Sequence, residues 1–356
     1  MESAMSSRER VCTAIARRVP DRVPIQDSLW SATVRRWEGE GLPPGTSPAD
    51  HFGYEIVEIG ADLSPRFPVK VIEENDEYVV QTTAEGGVRR NHRDRSTTPQ
   101  VVSCPIERPE DWPAIRDRLR PDVKRMDWAS SWSAYQTARE REKYVVFNAA
   151  CGYDLLQSYV ASERLLGFMA TDPDFVKEMV DVTSELALAT LRMMWDEGFR
   201  FDGLWVYDDM GYRTTSLFSP AMYRAMILPA DRKRNDWCHE HGLQTILHSC
   251  GCVKGLIPSL VEAGFDCLQP LEVKAGMDLR ELKAAFGDRI AFFGGINTML
   301  MEREDDALIE EEIRTKFAAA MPGGGYLYHS DHSIPKDVSF RKYSFVMDCV
   351  RRYGAY

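Results

Sequence analysis

Short apolar runs alternate with longer stretches of helical periodicity along the chain. Several runs have no polar interruption, which is typical of strands that are covered on both faces. Repeated strand–helix alternation predicts an α/β protein with a (β/α)₈ TIM barrel, and a doubly wound sheet is the structural alternative. The eight predicted strands are residues 22–26, 55–60, 144–148, 203–207, 243–248, 265–269, 290–294 and 325–329.

The stretches between the runs carry helix start and stop signals. Residues 172–198 begin with Asp-Pro, continue with amphipathic periodicity and end at a glycine. Residues 219–242 begin with Ser-Pro, and Pro229 predicts a kink within that helix. A shorter helix is predicted over 278–287, where an aspartate and a glycine mark the two ends.

One segment, residues 68–100, interrupts the alternation. Residues 69–83 are typical of a strand, a turn and a second strand, and a basic stretch follows at 89–95. We expect a β-hairpin excursion on a single barrel domain that spans 1–356. We interpret the basic stretch as a solvated loop, because charge runs usually lie at the surface. An arginine rim for an anionic ligand or partner is the alternative interpretation.

Composition narrows the class of protein. The 356 residues are 44% hydrophobic, and the net charge of -11 disfavours binding to nucleic acid or to an anionic membrane. The first residues contain no apolar signal core, and no run approaches the length of a membrane span. We therefore expect a cytoplasmic protein that has no membrane partner. Its eight cysteines are expected to be free thiols or metal ligands.

Ionisable and metal-ligating residues follow the predicted strands, at the carboxyl ends where barrel enzymes place their active sites. Alternatives stay open for some of them: Asp62 and Arg66 could form a plain ion pair, and one aspartate of the fourth strand could bond loop amides. The catalytic candidates are Asp62, Asp208 and Asp209. The substrate-binding candidates are Asp27, Trp30, Arg66, Tyr153, Asn297 and His329. Two further aromatic residues, Trp205 and Tyr207, are interpreted as core.

The fifth predicted strand ends in TILHSCGC, where His248 and Cys250 are two residues apart. In an extended segment such residues point the same way, and imidazole with thiolate suits zinc. The alternative is a hydrogen-bonded core histidine beside a small buried cysteine. A third ligand would come from a neighbouring strand end, where His332 and Glu272 are the candidates. Three ligands would indicate a catalytic zinc, and four would favour a structural one.

The chain resembles the uroporphyrinogen decarboxylase-like superfamily along nearly its whole length. The resemblance lies in the opening SSRERVCTAIARRVPDRVPI, in residues 219–253 and in the FFGGIN that follows the seventh strand. It implies a (β/α)₈ barrel with its site at the mouth. The metal-free decarboxylase branch carries an RQAGR motif and an FSDIL motif, where this chain has QDSLWSATVRRW and GADLSP. Porphyrinogen decarboxylation is therefore not expected.

The chain is more similar to the second branch, the methylcobamide:thiol methyltransferases. Their zinc motif is His-x-Cys followed by a distant cysteine near the last strand. His248 and Cys250 match the first half, and His332 takes the place of the distant cysteine. The resemblance implies a zinc ion held by these three residues, with Glu272 as a fourth candidate. The substitution of histidine for cysteine makes the site less electron-rich.

The implied activity is methyl transfer between a corrinoid and a small thiol or methyl ether. The chain contains no Asp-x-His-x-x-Gly corrinoid motif, so the corrinoid would come from a partner protein. A homodimer is compatible with the resemblance. Two alternatives remain: a metal-dependent or metal-free decarboxylase or lyase acting on a small carboxylated compound, and a non-catalytic subunit with structural zinc.

Overall fold

The computed structural model describes residues 5–93 and 98–356 and places eleven strands within them. The strands fall into two sheets, one of seven strands and one of four. The strands are β1 (Ile56–Gly60), β2 (Val71–Glu74), β3 (Tyr78–Thr82), β4 (Val88–His92), β5 (Gln100–Ser103), β6 (Tyr144–Ala150), β7 (Gly203–Tyr207), β8 (Gln244–His248), β9 (Cys267–Gln269), β10 (Ala291–Phe293) and β11 (Tyr326–Leu327).

The helices lie mostly between the strands of the larger sheet. No helix in the described part of the chain is both long and apolar enough to span a membrane. The helices are α1 (Ser7–Ile15), α2 (Ser31–Glu40), α3 (Pro48–Phe52), α4 (Trp112–Arg116), α5 (Trp128–Glu140), α6 (Tyr153–Val160), α7 (Ser162–Thr171), α8 (Pro173–Asp196), α9 (Pro220–Met226), α10 (Leu228–Glu240), α11 (Ile257–Glu262), α12 (Leu279–Phe286), α13 (Thr298–Met301), α14 (Asp306–Ala320) and α15 (Phe340–Tyr353).

The helix boundaries follow the capping signals in the sequence. The side chain of Asp172 accepts a hydrogen bond from a first-turn amide of α8, and Asp278 does the same for α12. The predicted helix over 219–242 divides into α9 and α10, and Pro229 lies in the first turn of the second. A proline there removes no helical hydrogen bond, because the first amides of a helix have no partner within it. The sequence therefore predicted these three helical stretches and the break in the middle one.

The larger sheet is parallel throughout, in the order β1-β6-β7-β8-β9-β10-β11. It contains seven of the eight predicted strands. The register places Tyr207 opposite His248, and His248 opposite Gln269. Residues opposite each other point to the same face of a sheet. The carboxyl ends of neighbouring strands therefore bring chemically active side chains together on one face.

The first predicted strand, residues 22–26, is the one that the parallel sheet lacks, and it forms only isolated bridges. Ile25 makes a parallel bridge with Tyr328, and the amide of Tyr328 donates to Pro24 O at 2.9 Å. On the other side, the amide of Glu55 donates to Ile25 O at 3.0 Å. The segment thus bonds to chain beyond β11 and to chain just before β1. The described fold is a curled, barrel-like parallel sheet in which seven strands are continuous.

A compact apolar cluster fills the inside of the curl. Its sheet residues are spaced two apart where a strand contributes more than one, which marks one face of the sheet. Helix α1 adds three buried residues and contacts β1, β6, β10 and β11. Helix α1 therefore covers the inner cluster, which leaves the carboxyl ends of the strands open. The cluster consists of Val11, Ala14, Ile15, Ile56, Tyr144, Val146, Trp205, Ile246, Cys267, Ala291, Phe293 and Leu327.

The excursion is larger than the predicted hairpin. It forms an antiparallel sheet in the order β2-β3-β4-β5, so the predicted strand–turn–strand is only its first half. The interpretation of the basic stretch as a loop is wrong for residues 89–92, which belong to β4. Arg90 packs over the ring of Tyr78 on the adjacent strand, 3.8 Å from the ring centroid. Cross-strand packing therefore outweighs the charge pattern there, and Arg95 lies outside the described residues.

Candidate functional site

The site lies where β7 and β8 end. His248 is the last residue of β8, Cys250 follows two residues later, and Asp209 comes two residues after the end of β7. His248 Nε2 lies 3.4 Å from Asp209 Oδ1 and 3.5 Å from Cys250 Sγ. One ligand atom from each residue lies within 4.8 Å of the others. Among the described residues, these three form a group that could hold a metal ion.

The backbone around the group is held by direct contacts between the two loops. The amide of Cys250 donates to Asp209 Oδ1 at 2.7 Å, and the amide of Asp208 donates to His248 O at 2.9 Å. At Gly211 an added Cβ would lie 2.3 Å from Cys250 O, and at Gly251, where φ is +75°, 2.4 Å from the Gly211 carbonyl carbon. Only glycine permits this approach, so the sequence SCGC positions Cys250 through the glycine after it.

The charges of the three side chains depend on one another. Burial disfavours the His248 imidazolium, but hydrogen bonds to Asp209 and Cys250 outweigh burial and raise its pKa well above the usual range. Burial raises the pKa of the Cys250 thiol. The Asp209 pKa is lowered, because its bonds to His248 and to the Cys250 amide outweigh burial. Without a metal, the group therefore holds protons on His248 and Cys250 beside an ionised Asp209.

We expect the affinity for zinc to rise with pH, because a metal must displace the protons on His248 and Cys250. With two protons displaced, affinity should rise by about 100-fold per pH unit below both pKa values and by about 10-fold per pH unit between them. Competition against a chelating dye over a pH series measures this dependence. The Cys250→Ser variant has no thiol proton, so its dependence should be shallower. An affinity that does not change with pH would contradict the proton placement described above.

Two cavities meet at this group, and Asp209 and Cys250 line both. The smaller, of about 250 Å³, is also lined by His248 and His332. The larger, of about 500 Å³, is bounded by the loop that carries Tyr212, which is 57% exposed. The candidate ligands thus separate two spaces, each of which a small molecule could enter.

His332 and Trp30 form one wall of the smaller cavity. Their rings are stacked with centroids 6.3 Å apart. His332 lies outside the group whose ligand atoms are within 4.8 Å of one another, and its Nδ1 is 3.3 Å from Ser333 O. In this arrangement His332 faces the same space as His248. Its ring nitrogens do not join the ligand atoms of His248 and Cys250 within 4.8 Å of one another.

Glu272 borders the larger cavity and already has partners for both carboxylate oxygens. Its Oε2 accepts a hydrogen bond from the amide of Gly251 at 2.6 Å, and Lys274 Nζ lies 2.9 Å from its Oε1. The hydrogen bond to Gly251 supports the turn that follows Cys250. Glu272 therefore shapes the loop of a predicted ligand, and a ligand role for Glu272 itself would place a metal beside the Lys274 ammonium group.

The family model of uroporphyrinogen decarboxylase (URO-D) matches residues 94–353. The chain belongs to the uroporphyrinogen decarboxylase family. No curated protein sequence matches it. Membership in the uroporphyrinogen decarboxylase family confirms the resemblance seen in the sequence motifs.

Solved structures add information about the fold. A methyltransferase from Methanosarcina mazei is 15% identical and has a TM-score of 0.68, with 98% of this chain and 99% of that chain covered. The GH18 chitinase ChiB of Flavobacterium johnsoniae is 8% identical, with a TM-score of 0.36 and coverage of 61% and 79%. The first similarity shows that this member of the uroporphyrinogen decarboxylase family shares its fold with the archaeal protein over nearly the whole length of both chains.

Two predicted site residues, Asp27 and Asp208, are buried and hydrogen-bonded to other residues of the protein. The Asp27 carboxylate accepts hydrogen bonds from Tyr343 Oη at 2.8 Å and Ser330 Oγ at 2.7 Å. Asp208 is 2% exposed and accepts a hydrogen bond from the amide of Asp154 at 2.7 Å. Burial and nearby carboxylates raise the Asp208 pKa well above its usual range. Asp27 therefore holds two buried hydroxyl groups in place and Asp208 holds the start of α6, while Asp209 is the one of its pair that faces the mouth.

Two other predicted residues also have local structural partners. Tyr153 is buried and its hydroxyl is 2.9 Å from Ser162 Oγ. Asn297 caps α13, since its Oδ1 accepts a hydrogen bond from the amide of Met299 at 3.0 Å. Neither residue lines the two cavities that meet at the group of Asp209, His248 and Cys250.

Asp62 and Arg66 form the ion pair that the sequence left open. Arg66 Nε lies 2.9 Å from Asp62 Oδ2, and Asp62 borders a separate cavity of about 330 Å³. Burial would raise the Asp62 pKa, but hydrogen bonds from Ser64 and Arg66 lower it. Asp62 is therefore ionised and paired, which suits it poorly as a proton donor.

Tyr207 and Glu58 form a part of the mouth that the sequence patterns did not predict. Tyr207 was interpreted as core, yet its ring centroid lies 4.9 Å from that of His248 and its hydroxyl donates to Glu58 Oε2 at 2.8 Å. Asn148 Nδ2 also donates to Glu58, at 3.1 Å. The signal was present, because Glu58 is the one charged residue inside the otherwise apolar β1. Trp205, by contrast, is buried in the inner cluster, as predicted.

Proposed function

We propose that the protein is a zinc-dependent methyltransferase that moves a methyl group between a corrinoid carrier protein and a small thiol or methyl ether. The observation that carries this proposal is the group of Asp209, His248 and Cys250, placed between two cavities. Carboxylate, imidazole and thiolate are ligands that zinc accepts, so the residues present fit the ion. Three protein ligands beside open space favour a catalytic site over a closed structural one.

The proposal includes a closed barrel. The bonds from residues 22–26 to Tyr328 and Glu55 support an eighth strand that joins the two edges of the parallel sheet. Closure would fix the distance across the mouth between His248 and His332, which follow different strands. A coordination site needs such fixed distances, because ligand atoms must be held close to their final positions.

Each residue of the group has a separate task in the proposed reaction. His248, Cys250 and Asp209 would hold the zinc ion, and His332 would approach from the opposite wall as a further ligand. When bound, zinc would lower the pKa of a thiol or polarise the oxygen of a methyl ether. Trp30 would exclude water from the smaller cavity, where we place the small substrate. The larger cavity, with its exposed Tyr212, would face the methyl carrier.

The structural neighbour from Methanosarcina mazei is named a methyltransferase, and it covers 98% of this chain. Both facts support the methyl-transfer proposal. The corrinoid is assigned to a partner because the chain has no corrinoid-ligating motif. Free methylcobalamin is a suitable probe for this requirement. Its absorbance changes when the methyl group leaves cobalt, so transfer to a panel of small thiols is directly observable. Turnover with methylcobalamin and zinc, and none without either, would support the proposal.

Metal analysis of the untagged protein tests the same proposal without any substrate. We expect about one zinc per chain in the wild type, in line with a single catalytic site. His239→Ala serves as a control, since His239 lies in α10 and pairs with Asp266. A folded, zinc-supplemented wild type that contains no metal would refute the proposal. Zinc whose removal lowers the melting temperature, in a protein that shows no turnover, would instead indicate a structural site.

The His332→Ala variant tests whether His332 is a metal ligand or only lines the smaller cavity. We expect zinc affinity to fall by at least about 10-fold if His332 moves onto the metal, because loss of a ligand costs no less than loss of a group that supports one. Titration with zinc, monitored by a competing dye, measures the affinity. Trp30→Phe is the matched change on the same wall and should leave zinc affinity unaltered. Equal affinities for wild type and His332→Ala would remove His332 from the ligand set.

A second candidate function is decarboxylation or another lyase reaction on a small carboxylated compound. The pair of Glu58 and Tyr207 favours it, because Glu58 is an exposed carboxylate at the mouth that the Tyr207 hydroxyl orients, and a carboxylate in that place can accept a proton. The two functions differ in their need for a corrinoid. A lyase would convert its substrate without methylcobalamin, and Glu58→Gln would then abolish turnover while zinc content stayed unchanged.

A further inference from the structure

A line of polar side chains runs behind the metal-binding group. Gln269 ends β9 and lies between two histidines: its Oε1 is 2.5 Å from His248 Nδ1, and its Nε2 is 3.4 Å from His329 Nε2. His329 is 1% exposed, and its Nδ1 lies 2.6 Å from Ser330 O. The hydrogen-bonding capacity of each atom in this line depends on its neighbours, so the protons can be placed by elimination.

His329 lies at the buried end of this line of side chains. A backbone carbonyl only accepts hydrogen bonds, so His329 Nδ1 must carry a proton towards Ser330. In a neutral ring His329 Nε2 is then an acceptor, and the group that faces it must be a donor. Ser28 Oγ, 3.2 Å from the same nitrogen, satisfies this requirement, because a hydroxyl can donate. The amide of Gln269 satisfies it only when its NH₂ end points to His329.

The other end of the same amide then faces the metal-binding group. With its NH₂ towards His329, Gln269 presents its carbonyl oxygen to His248 Nδ1. That oxygen only accepts, so His248 Nδ1 carries a proton. The lone pair of a neutral His248 is left on Nε2, the nitrogen that faces Asp209 and Cys250. A metal needs that lone pair in that direction.

We propose that Gln269 is a positioning residue that fixes the tautomer and ring orientation of His248, and that buried His329 fixes the orientation of the Gln269 amide. This inference rests on the proposed metal function of His248 and assigns a role to two residues that do not touch the metal. Hydrogen bonds to the second nitrogen of a metal-binding histidine typically change metal affinity by about 10- to 100-fold. The opposite amide orientation would place the proton on His248 Nε2 and block the site.

The first test reads the tautomer without any metal. The chain has seven histidines, and ¹⁵N labelling of all of them gives a small set of ring signals. A His248→Asn variant assigns the signal of interest. At the alkaline end of a pH series, where the ring is neutral, we expect the Nδ1–H form for His248 in the wild type. Gln269→Leu, which cannot accept a hydrogen bond, should produce a mixture of both tautomers.

The second test measures zinc affinity. Gln269→Leu should weaken zinc binding by about 10- to 100-fold, whereas Gln269→Glu keeps an acceptor for His248 Nδ1 and should restore most of the affinity. Gln269→Glu also keeps the side-chain volume, so it remains informative should the leucine variant fold poorly. Gln244→Leu is the matched control, because Gln244 lies at the opposite end of β8 and bonds to Tyr144 and to Cys12 O.

The outcomes separate this inference from the proposed function. An Nε2–H form of neutral His248 in the wild type would overturn the inference, and so would wild-type zinc affinity in both folded Gln269 variants. A wild type that binds no zinc but shows an Nδ1–H form that depends on Gln269 would support the positioning role and refute the proposed function. Weakened binding in Gln269→Leu, restored in Gln269→Glu, would support both.

Discussion

Replacing Cys250 by alanine is expected to remove both bound zinc and methyl transfer. The thiolate is one of three candidate ligands, and its loss leaves His248 and Asp209 as the remaining members of the group. Supporting residues of metal sites typically account for about 10- to 100-fold in affinity, so loss of a direct ligand should exceed about 100-fold. Elemental analysis of the purified variant and the methylcobalamin assay measure the two effects on the same sample.

The matched control for this prediction is Cys252→Ala. Cys252 is also a buried thiol of the same loop, but it lies outside the group of three, and its amide bonds to Tyr212 O at 2.7 Å. Removal of its thiol should leave zinc content and turnover close to wild type. If Cys250→Ala retained full zinc while Cys252→Ala lost it, the ligand would be misassigned. If neither variant lost zinc, the His-x-Cys motif would not be a metal site.

The sequence predicted the strands of the parallel sheet because they are covered on both faces and therefore appear as uninterrupted apolar runs. It also placed His248 and Cys250 together, since residues two apart in an extended segment share a face. The predicted loop at 89–92 is a strand, because it pairs with β3 and Arg90 packs over the ring of Tyr78 on that strand. Packing against a neighbouring strand is a tertiary property that a charge pattern does not contain.

At the site, too, the sequence pattern does not contain the tertiary contacts that distinguish the adjacent residues Asp208 and Asp209. Asp208 and Asp209 are chemically identical, and the sequence offered both as acids or bases. In the structure Asp208 is buried against the start of α6, whereas Asp209 turns towards His248. The decisive contacts come from Asp154 and His248, which lie 54 and 39 positions away in the chain. Gln269 was not predicted for a similar reason, because its proposed role depends on His248 and His329, which lie 21 and 60 positions away in the chain.

Substituting Gly152 by alanine is expected to destabilise the protein and to disturb the metal-binding group. Gly152 precedes α6 and adopts φ +84° and ψ -151°, a conformation that is essentially restricted to glycine. An added Cβ would lie 2.1 Å from the Asp208 Oδ2, so the buried carboxylate would have to move. Strain and displacement together should lower the free energy of unfolding by about 2–5 kcal/mol. Chemical denaturation measures this change.

The same substitution should also displace His248 and Asp209, because the Asp208 amide bonds to His248 O and Asp209 is the next residue. We therefore expect weaker zinc binding as well as lower stability. Gly167→Ala is the control: Gly167 lies inside α7, has no atom within 4 Å of an added Cβ, and should gain about 0.5–1 kcal/mol from the higher helix propensity of alanine. If Gly152→Ala lost stability but kept wild-type zinc affinity, Asp208 would support the fold without helping to position His248 and Asp209. Unchanged stability in Gly152→Ala would mean that the tight contact between α6 and the Asp208 carboxylate does not hold this part of the mouth together.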